Sequence, residues 1–94
     1  MYNILIRKGY KVFVGTVDGV EIDFVAQKEE KKLYIQVCYL IDSEDTYQRE
    51  FGNLALIRDS FEKMVVSLDE VTFKDETGIQ HIKLNTFEEY FLRE

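Results

Sequence analysis

An Asp18-Gly19 pair stands between two stretches rich in β-branched and aromatic residues, and it is the strongest local constraint on the fold. Asp-Gly is favoured in the two-residue turns of β-hairpins, because these residues tolerate the left-handed backbone that such turns need. The flanking stretches, 10–17 and 20–27, therefore predict two antiparallel strands. A charged turn at 28–31 and an apolar stretch at 32–41 predict a third, central strand, which completes a meander.

The remaining segments predict helices and further strands around this meander. Residues 2–8 have helical spacing and end at Gly9, a normal helix-stopping residue. Asp42-Ser43 offers an N-cap for a second helix that runs to residue 61. Its apolar stripe, which we expect in the core, consists of Tyr47, Phe51, Leu54, Ile57 and Phe61.

Two short stretches, 63–68 and 79–84, predict strands, and 71–73 offers another. Asn85 and Glu88 make a capping pair for a final helix. That helix is expected to bury Phe87, Tyr90 and Phe91. The order predicts an α+β, or mixed α/β, domain in which the second helix crosses over to a parallel strand.

Length and composition limit the classes of protein that fit. Ninety-four residues make a single domain, 1–94, and its short first helix predicts a domain truncated at the N-terminal side. The net charge of −6 disfavours unaided binding to nucleic acid or anionic membranes. A single cysteine fits a reducing, cytoplasmic location, and no apolar run approaches the ~18 residues of a membrane span.

Register arithmetic on the meander predicts one polar patch. If Val17 faces Val20 and Gln27 faces Lys32, Asp23 lies opposite both Val14 and Gln36, and Glu21 lies opposite Cys38. Opposed residues, and residues two apart on a strand, share a face. The predicted patch therefore comprises Glu21, Asp23, Gln36 and Cys38, on a face that also carries Val12, Val14 and Val25. A carboxylate among apolar neighbours is unfavourable unless it is protonated, hydrogen-bonded or bound to a cation.

The segments YNILIRKGYKVFVG, EIDFVA, LYIQVCYL and REFGNL, in this order, resemble the nuclease-like C-terminal domain of bacterial and archaeal AAA+-type ATPases. That domain belongs to the PD-(D/E)xK endonuclease superfamily, so the resemblance implies a restriction-endonuclease-like core. It also implies a divalent-metal site built from a strand-two acid, a (D/E)-x-K triplet on strand three and a first-helix glutamate. By position these fall on Asp23, on the triplet Gln36-Val37-Cys38 and near Ile4.

Three of these positions depart from the superfamily pattern. Gln36 lacks the charge that holds a hard cation, Cys38 replaces the lysine, and Ile4 supplies no carboxylate. Only Asp23, with Glu21 as a helper, remains as a metal ligand. A phosphodiesterase generally needs two or more anionic ligands, so the resemblance, together with these departures, implies a nuclease fold that has lost catalysis and needs no cofactor.

Three functions remain as hypotheses. The first is a non-catalytic interaction or regulatory module, which binds a protein partner or a parent ATPase module and forms a two-fold homodimer. The second is a Mg²⁺- or Mn²⁺-dependent nuclease that uses Asp23 and Glu21. The third is metal-free binding to nucleic acid, which requires a concentrated basic patch. Scattered glycines and the lack of a GK[ST] sequence exclude ATP hydrolysis by this chain itself.

Plainer interpretations accompany these hypotheses. Glu21 and Asp23 also fit a solvated pair, and Cys38 fits a small buried apolar residue. His81 alternates with Ile79 and Lys83, which predicts a partly exposed strand residue. The sequence 28–32 fits a solvated hairpin tip, and the basic cluster at Arg7, Lys8 and Lys11 fits a solubilising surface or a domain contact.

Overall fold

A computed structural model describes residues 2–17, 19–69 and 78–87. Its elements are α1 (Tyr2–Arg7), β1 (Lys11–Val17), β2 (Val20–Lys28), β3 (Lys31–Val37), α2 (Glu44–Ala55), β4 (Glu62–Ser67) and β5 (Gln80–Lys83), followed by a 3-10 turn at Leu84–Thr86. The strands form one sheet in the order β1-β2-β3-β4-β5. The α+β class is confirmed.

The sheet is half antiparallel and half parallel. β1, β2 and β3 form the predicted antiparallel meander, whereas β4 runs parallel to β3 and β5 parallel to β4. α2 connects the antiparallel half to the parallel half, as the crossover prediction requires. The carboxyl ends of β3, β4 and β5 consequently meet at one edge of the sheet.

The first hairpin has the predicted register near its turn and departs from it further on. Val17 pairs with Val20, and Gly19 takes a φ of 80°, as a tight turn requires. Gly15 still pairs with Ile22, but the register has shifted by the pair Phe13–Val25. Two residues of β2, Asp23 and Phe24, therefore lie opposite Val14 alone, which is a β-bulge.

The second hairpin keeps the predicted register over its whole ladder, from Phe24–Ile35 to Gln27–Lys32. Its turn is shorter than predicted, because Lys28 also pairs with Lys31. The turn residues are Glu29 and Glu30, and Glu29 has a φ of 56°. The prediction of a four-residue loop was thus wrong, although the pairing it implied was right.

Each face of the sheet carries its own apolar cluster. The first face packs against α2, and the first cluster, formed between them, includes Val25, Tyr34, Phe51, Leu54 and Val65. The second face packs against α1 and the 3-10 turn, and the second cluster, formed between them, includes Leu5, Ala26, Ile35, Val66 and Phe87. β3 and β4 are consequently buried on both sides, as central strands of a two-sided sheet should be.

α2 begins where the sequence indicates and ends earlier than predicted. The Ser43 side chain accepts the Thr46 N–H at 3.2 Å, which is the expected N-cap. The helix stops at Ala55 rather than at Phe61. Beyond it, the Asp59 carboxylate accepts the Phe61 N–H at 3.1 Å, a local bond that competes with helix formation.

The predicted stripe of α2 is therefore only partly in the core. Phe51, Leu54 and Ile57 are buried and Tyr47 stacks on Phe51, whereas Phe61 is 39% exposed. Phe87 is buried as predicted. The predicted strand at 71–73, the Glu88 cap and the residues Tyr90 and Phe91 lie outside the described residues.

Neither helix in the described part of the chain has the length and apolarity that crossing a lipid bilayer requires.

Candidate functional site

The Gln36 side chain joins β2 to β3 at the point where their main-chain ladder ends. Its Oε1 accepts the Asp23 N–H at 2.9 Å, and its Nε2 donates to the Glu21 carbonyl oxygen at 3.0 Å. The carboxamide thus takes the place of a neighbouring strand's peptide group beside the bulge. Because Gln36 is buried, these two bonds satisfy polar atoms that would otherwise be desolvated without partners.

The Asp23 carboxylate makes a second link between the same strands. Its Oδ2 accepts the Val37 N–H at 2.8 Å. The side chain is exposed, and its negative charge acts on Cys38 and on Glu50 of α2. The bulge therefore directs Asp23 towards the end of β3, which is a known effect of bulges near polar sites.

The structure brings Asp23, Gln36 and Cys38 together, but it places Glu21, the fourth member of the predicted patch, on the other face of the sheet. Gln36 lies between two residues of the second cluster, so its side chain points to the first face, where Cys38 also packs. Glu21 lies between Val20 and Ile22, both of the first cluster, so its carboxylate points to the second face. The prediction that all four share a face was wrong for Glu21.

The bulge explains this error, since one extra residue reverses the alternation on one strand only. The apolar neighbours predicted for the patch separate in the same way. Val25 belongs to the first cluster, Val12 packs against the second, and Val14 is exposed. Ile4, at the position of the superfamily's helix glutamate, lies on α1 and packs against the second cluster.

Cys38 and Glu50 form the buried side of this site. Burial and the negative charge of Glu50 raise the pKa of the half-buried Cys38 thiol to about 11. Burial and the charge of Asp23 in turn raise the pKa of Glu50, while the Arg49 guanidinium, 3.5 Å from its Oε1, opposes that shift. At neutral pH Cys38 is thus a protonated thiol, which neither carries a lysine's charge nor acts as a thiolate nucleophile.

A second polar cluster lies at the carboxyl end of β4, where Ser67 and Asp69 meet His81 of β5. Ser67 Oγ lies 2.6 Å from Asp69 Oδ2 and 2.7 Å from His81 Nε2. Asp69 Oδ2 also accepts the Ile41 N–H at 2.9 Å, which fixes the segment that leads from β3 to α2. The His81 ring is fully buried and meets the edge of Phe51, so the prediction of a partly exposed histidine was wrong.

The hydrogen-bond directions in this cluster exclude an activated serine. The Ser67 hydroxyl proton goes to the Asp69 carboxylate, so His81 Nε2 must donate to Ser67 Oγ rather than accept from it. A general base would need the opposite direction. Burial lowers the pKa of His81 despite the nearby Asp69 charge. Burial raises the pKa of Asp69, but hydrogen bonds from Ser67 and the Ile41 N–H outweigh it and lower the pKa overall.

The arrangement does not fit the divalent metal that the superfamily pattern implies. Within 2–17, 19–69 and 78–87, no three or more His, Cys, Asp and Glu side chains converge as a metal site would require. Glu21 points away from Asp23, and the Gln36 oxygen already accepts a main-chain N–H. No catalytic step through a metal can be built on these residues.

Sequence reasoning missed Glu50 and the cluster of Ser67, Asp69 and His81. Glu50 precedes Phe51, a predicted core position, so its place near the buried face of α2 could have been inferred from helical periodicity. Nothing local indicates that Ser67 bonds to His81, because β5 reaches β4 only through the sheet topology. These contacts depend on long-range packing.

Comparison with curated proteins shows a similarity over part of the chain. The chain is 41% identical over 63 residues to a protein of Haemophilus influenzae (strain ATCC 51907 / DSM 11121 / KW20 / Rd) described as "Uncharacterized protein". The matched segment covers 67% of this chain and 15% of that relative, so the similarity extends over a small part of a much longer protein. No family profile matches the chain.

Proposed function

We propose that this chain is a non-catalytic, nuclease-fold interaction or regulatory module. It resembles the C-terminal domain of an AAA+-type ATPase. In this chain, two positions of the PD-(D/E)xK site, Asp23 and Gln36, bond β2 to β3, and we call these bonded residues the Gln36 joint. The proposal rests on one observation: the Gln36 carboxamide and the Asp23 carboxylate both bond to main-chain groups that link β2 with β3.

The chemistry of phosphodiester hydrolysis supports this assignment. A metal-dependent nuclease needs anionic ligands that converge on a cation, and a positive group that stabilises the phosphorane-like transition state. Here Asp23 is held by the Val37 N–H, Gln36 is neutral, and the Cys38 thiol, with a pKa of about 11, is uncharged. The residues that would perform hydrolysis therefore stabilise the end of the sheet instead.

An exposed apolar surface beside this joint supports a role in protein binding. Tyr39 is 74% exposed and Leu68 is 44% exposed, and the Leu68 N–H donates to the Tyr39 carbonyl oxygen at 2.9 Å. Leu40 is also exposed. Apolar side chains gathered in this way are typical of interaction sites. The partner that we propose is a parent ATPase module or a second copy of this chain.

Two further observations agree with such a module. A segment similar to this chain lies within a much longer protein, as an appended domain would. Cys38 is a free thiol, which fits a reducing cytoplasm.

A cleavage assay tests the loss of catalysis. Supercoiled plasmid, single-stranded DNA and RNA are incubated with the protein and either Mg²⁺ or Mn²⁺. Asp23→Asn is the matched control, because asparagine can still accept the Val37 N–H but lacks the charge. We expect no cleavage above that of the control. Metal-dependent cleavage by the wild type that disappears in Asp23→Asn would establish a nuclease and contradict the proposal.

Sedimentation analysis tests the second copy as partner. We expect concentration-dependent association that Tyr39→Ser weakens and that Leu56→Ser leaves unchanged. Leu56 is a suitable control because it is 62% exposed but lies at the far end of α2. A wild-type monomer from micromolar to millimolar concentration would exclude the homodimer.

A further inference from the structure

The end of the sheet where β3 begins carries a concentration of positive charge. Three segments meet there, 7–11, 28–32 and 58–63, since Lys28 Nζ donates to the Lys8 carbonyl oxygen at 2.7 Å and Lys63 pairs with Tyr34. We call these segments the basic end. Their basic residues are Arg7, Lys8, Lys11, Lys28, Lys31, Lys32, Arg58 and Lys63, and their acidic residues are Glu29, Glu30, Asp59 and Glu62. Eight against four gives a local charge of +4 in a chain of −6.

Clefts run along this end. One, of about 300 Å³, is lined by Tyr10, Lys31, Lys32, Phe61 and Glu62 among others. A second shares residues 60–62 with it and continues to β5, and a third lies beside Lys11 and Lys28. The first two clefts adjoin each other, and the residues of the third, Gly9 and Lys11, flank Tyr10 of the first along the chain.

Lys32 and Phe61, which both line the first cleft, contact each other and the buried Tyr34 ring behind them. Lys32 Nζ lies 5.4 Å from the centroid of the Phe61 ring and 5.9 Å from that of Tyr34. Phe61 meets Tyr34 edge-on and remains 39% exposed. The rings thus hold a lysine at the mouth of the cleft while an aromatic surface stays accessible.

One acidic group of the basic end, the Asp59 carboxylate, is already paired with neighbouring side chains and repels an approaching anion less. Asp59 Oδ1 lies 2.8 Å from Lys63 Nζ, and its Oδ2 accepts the Tyr34 hydroxyl at 2.7 Å. Burial raises the pKa of Asp59, but these bonds outweigh burial and lower it. The Asp59 carboxylate is therefore paired. The lining of the first cleft then has two ammonium groups, of Lys31 and Lys32, against one carboxylate, of Glu62.

We propose that the basic end binds single-stranded nucleic acid, with phosphates at Lys31 and Lys32 and a base against Phe61. Positive grooves with aromatic stacking surfaces bind single strands without sequence preference. The succession of clefts favours an extended strand over a free nucleotide, which would fill only one of them.

This site is independent of the proposed loss of catalysis. The Gln36 joint lies five residues along β3 from Lys31 and four from Lys32, a separation of about 13–17 Å. Binding here could fail while the protein remains a non-catalytic module, and binding at Asp23 instead would not depend on Lys31 and Lys32, which lie at the opposite end of β3.

Fluorescence anisotropy with a fluorescein-labelled oligothymidylate of about fifteen nucleotides tests the proposal. We expect saturable binding at about 50 mM NaCl that weakens about twentyfold by about 200 mM, as roughly three phosphate contacts predict. Lys31→Ala/Lys32→Ala should weaken binding at least about fivefold and reduce the salt dependence. Lys83→Ala, at the other end of the sheet, should bind as the wild type does.

Phe61→Leu separates stacking from charge, because it keeps apolar volume against Tyr34 but removes the ring. It should weaken binding while the salt dependence is retained. Circular dichroism confirms that each variant is folded. Binding that is undetectable at about 100 µM protein in about 50 mM NaCl, or equal in wild type and the double lysine variant, would overturn the proposal. Equal competition by free thymidine monophosphate would show a nucleotide site instead of a strand site.

Discussion

Gln36 Oε1 lies 2.9 Å from the main-chain nitrogen of Asp23, and through this contact one side chain closes a gap between two strands. The same carboxamide reaches the Glu21 carbonyl oxygen from its other end. An amide is required for this, since it must accept one hydrogen bond and donate another. A carboxylate, which the nuclease pattern would place here, can only accept.

Gln36→Glu should therefore destabilise the fold at neutral pH. The new carboxylate cannot donate to the Glu21 carbonyl oxygen and adds a negative charge near Asp23 and Glu50. We expect the free energy of unfolding, measured by urea denaturation, to fall by about 1–3 kcal/mol. Burial and these charges should raise the pKa of the introduced carboxyl group in the folded state. The loss of stability is thus fully present above that raised pKa. It becomes smaller at lower pH, because the protonated carboxyl group can again donate a hydrogen bond.

Gln27→Glu is the matched control. It makes the same chemical change on an exposed position of β2, where we expect an effect within about 0.5 kcal/mol. Equal stability of Gln36→Glu and the wild type would show that the carboxamide does not hold the strands together.

The chain's single histidine should make its stability depend on pH. Burial lowers the pKa of His81 below 6.5 in the folded state, so the unfolded chain takes up a proton first as the pH falls. The free energy of unfolding should therefore be greatest above pH 6.5 and decrease from there down to the lowered pKa. Urea titrations at intervals across this range measure the slope.

His81→Gln provides the comparison for that slope. Glutamine retains an N–H for Ser67 but does not titrate, so we expect lower stability at neutral pH, by about 1–3 kcal/mol, and a flatter pH dependence. Glu50 acts in the opposite direction, because its raised pKa means that stability is lost as it ionises with rising pH. Both titrations are therefore repeated with Glu50→Gln. An unchanged slope in His81→Gln would exclude this histidine as the source.

The elements that follow from local residue patterns could be predicted, and those that depend on tertiary contacts could not. The β2–β3 register was predicted because turn residues and strand alternation determine it together. The bulge at Asp23 and Phe24 has no local signal, and it reversed the predicted face of Glu21. α2 ends at Ala55, and the Asp59 bond to the Phe61 N–H, a local contact that keeps Phe61 out of a helix, could have been considered.

The candidate site shows the same division. Asp23, Gln36 and Cys38 were placed together from the register, but Glu50 joins them from α2, and helix packing on the first face decides that contact. His81 looked exposed because the pattern of a four-residue strand does not reveal what covers its face. Its burial depends on Phe51 of α2.

Cys38 should react slowly with alkylating reagents, because only the thiolate attacks them. Raising the thiol pKa from 9.0 to about 11 lowers the thiolate fraction at pH 8 about a hundredfold. Iodoacetamide labelling followed by mass spectrometry, with a denatured sample for comparison, measures the rate.

Glu50→Gln should accelerate labelling, since the negative charge of Glu50 contributes to the raised pKa of Cys38. Glu44→Gln removes the same charge from an exposed position of α2 and should leave the rate unchanged. Equal rates in these two variants, or a native rate like that of the denatured chain, would refute a thiol held neutral by its surroundings.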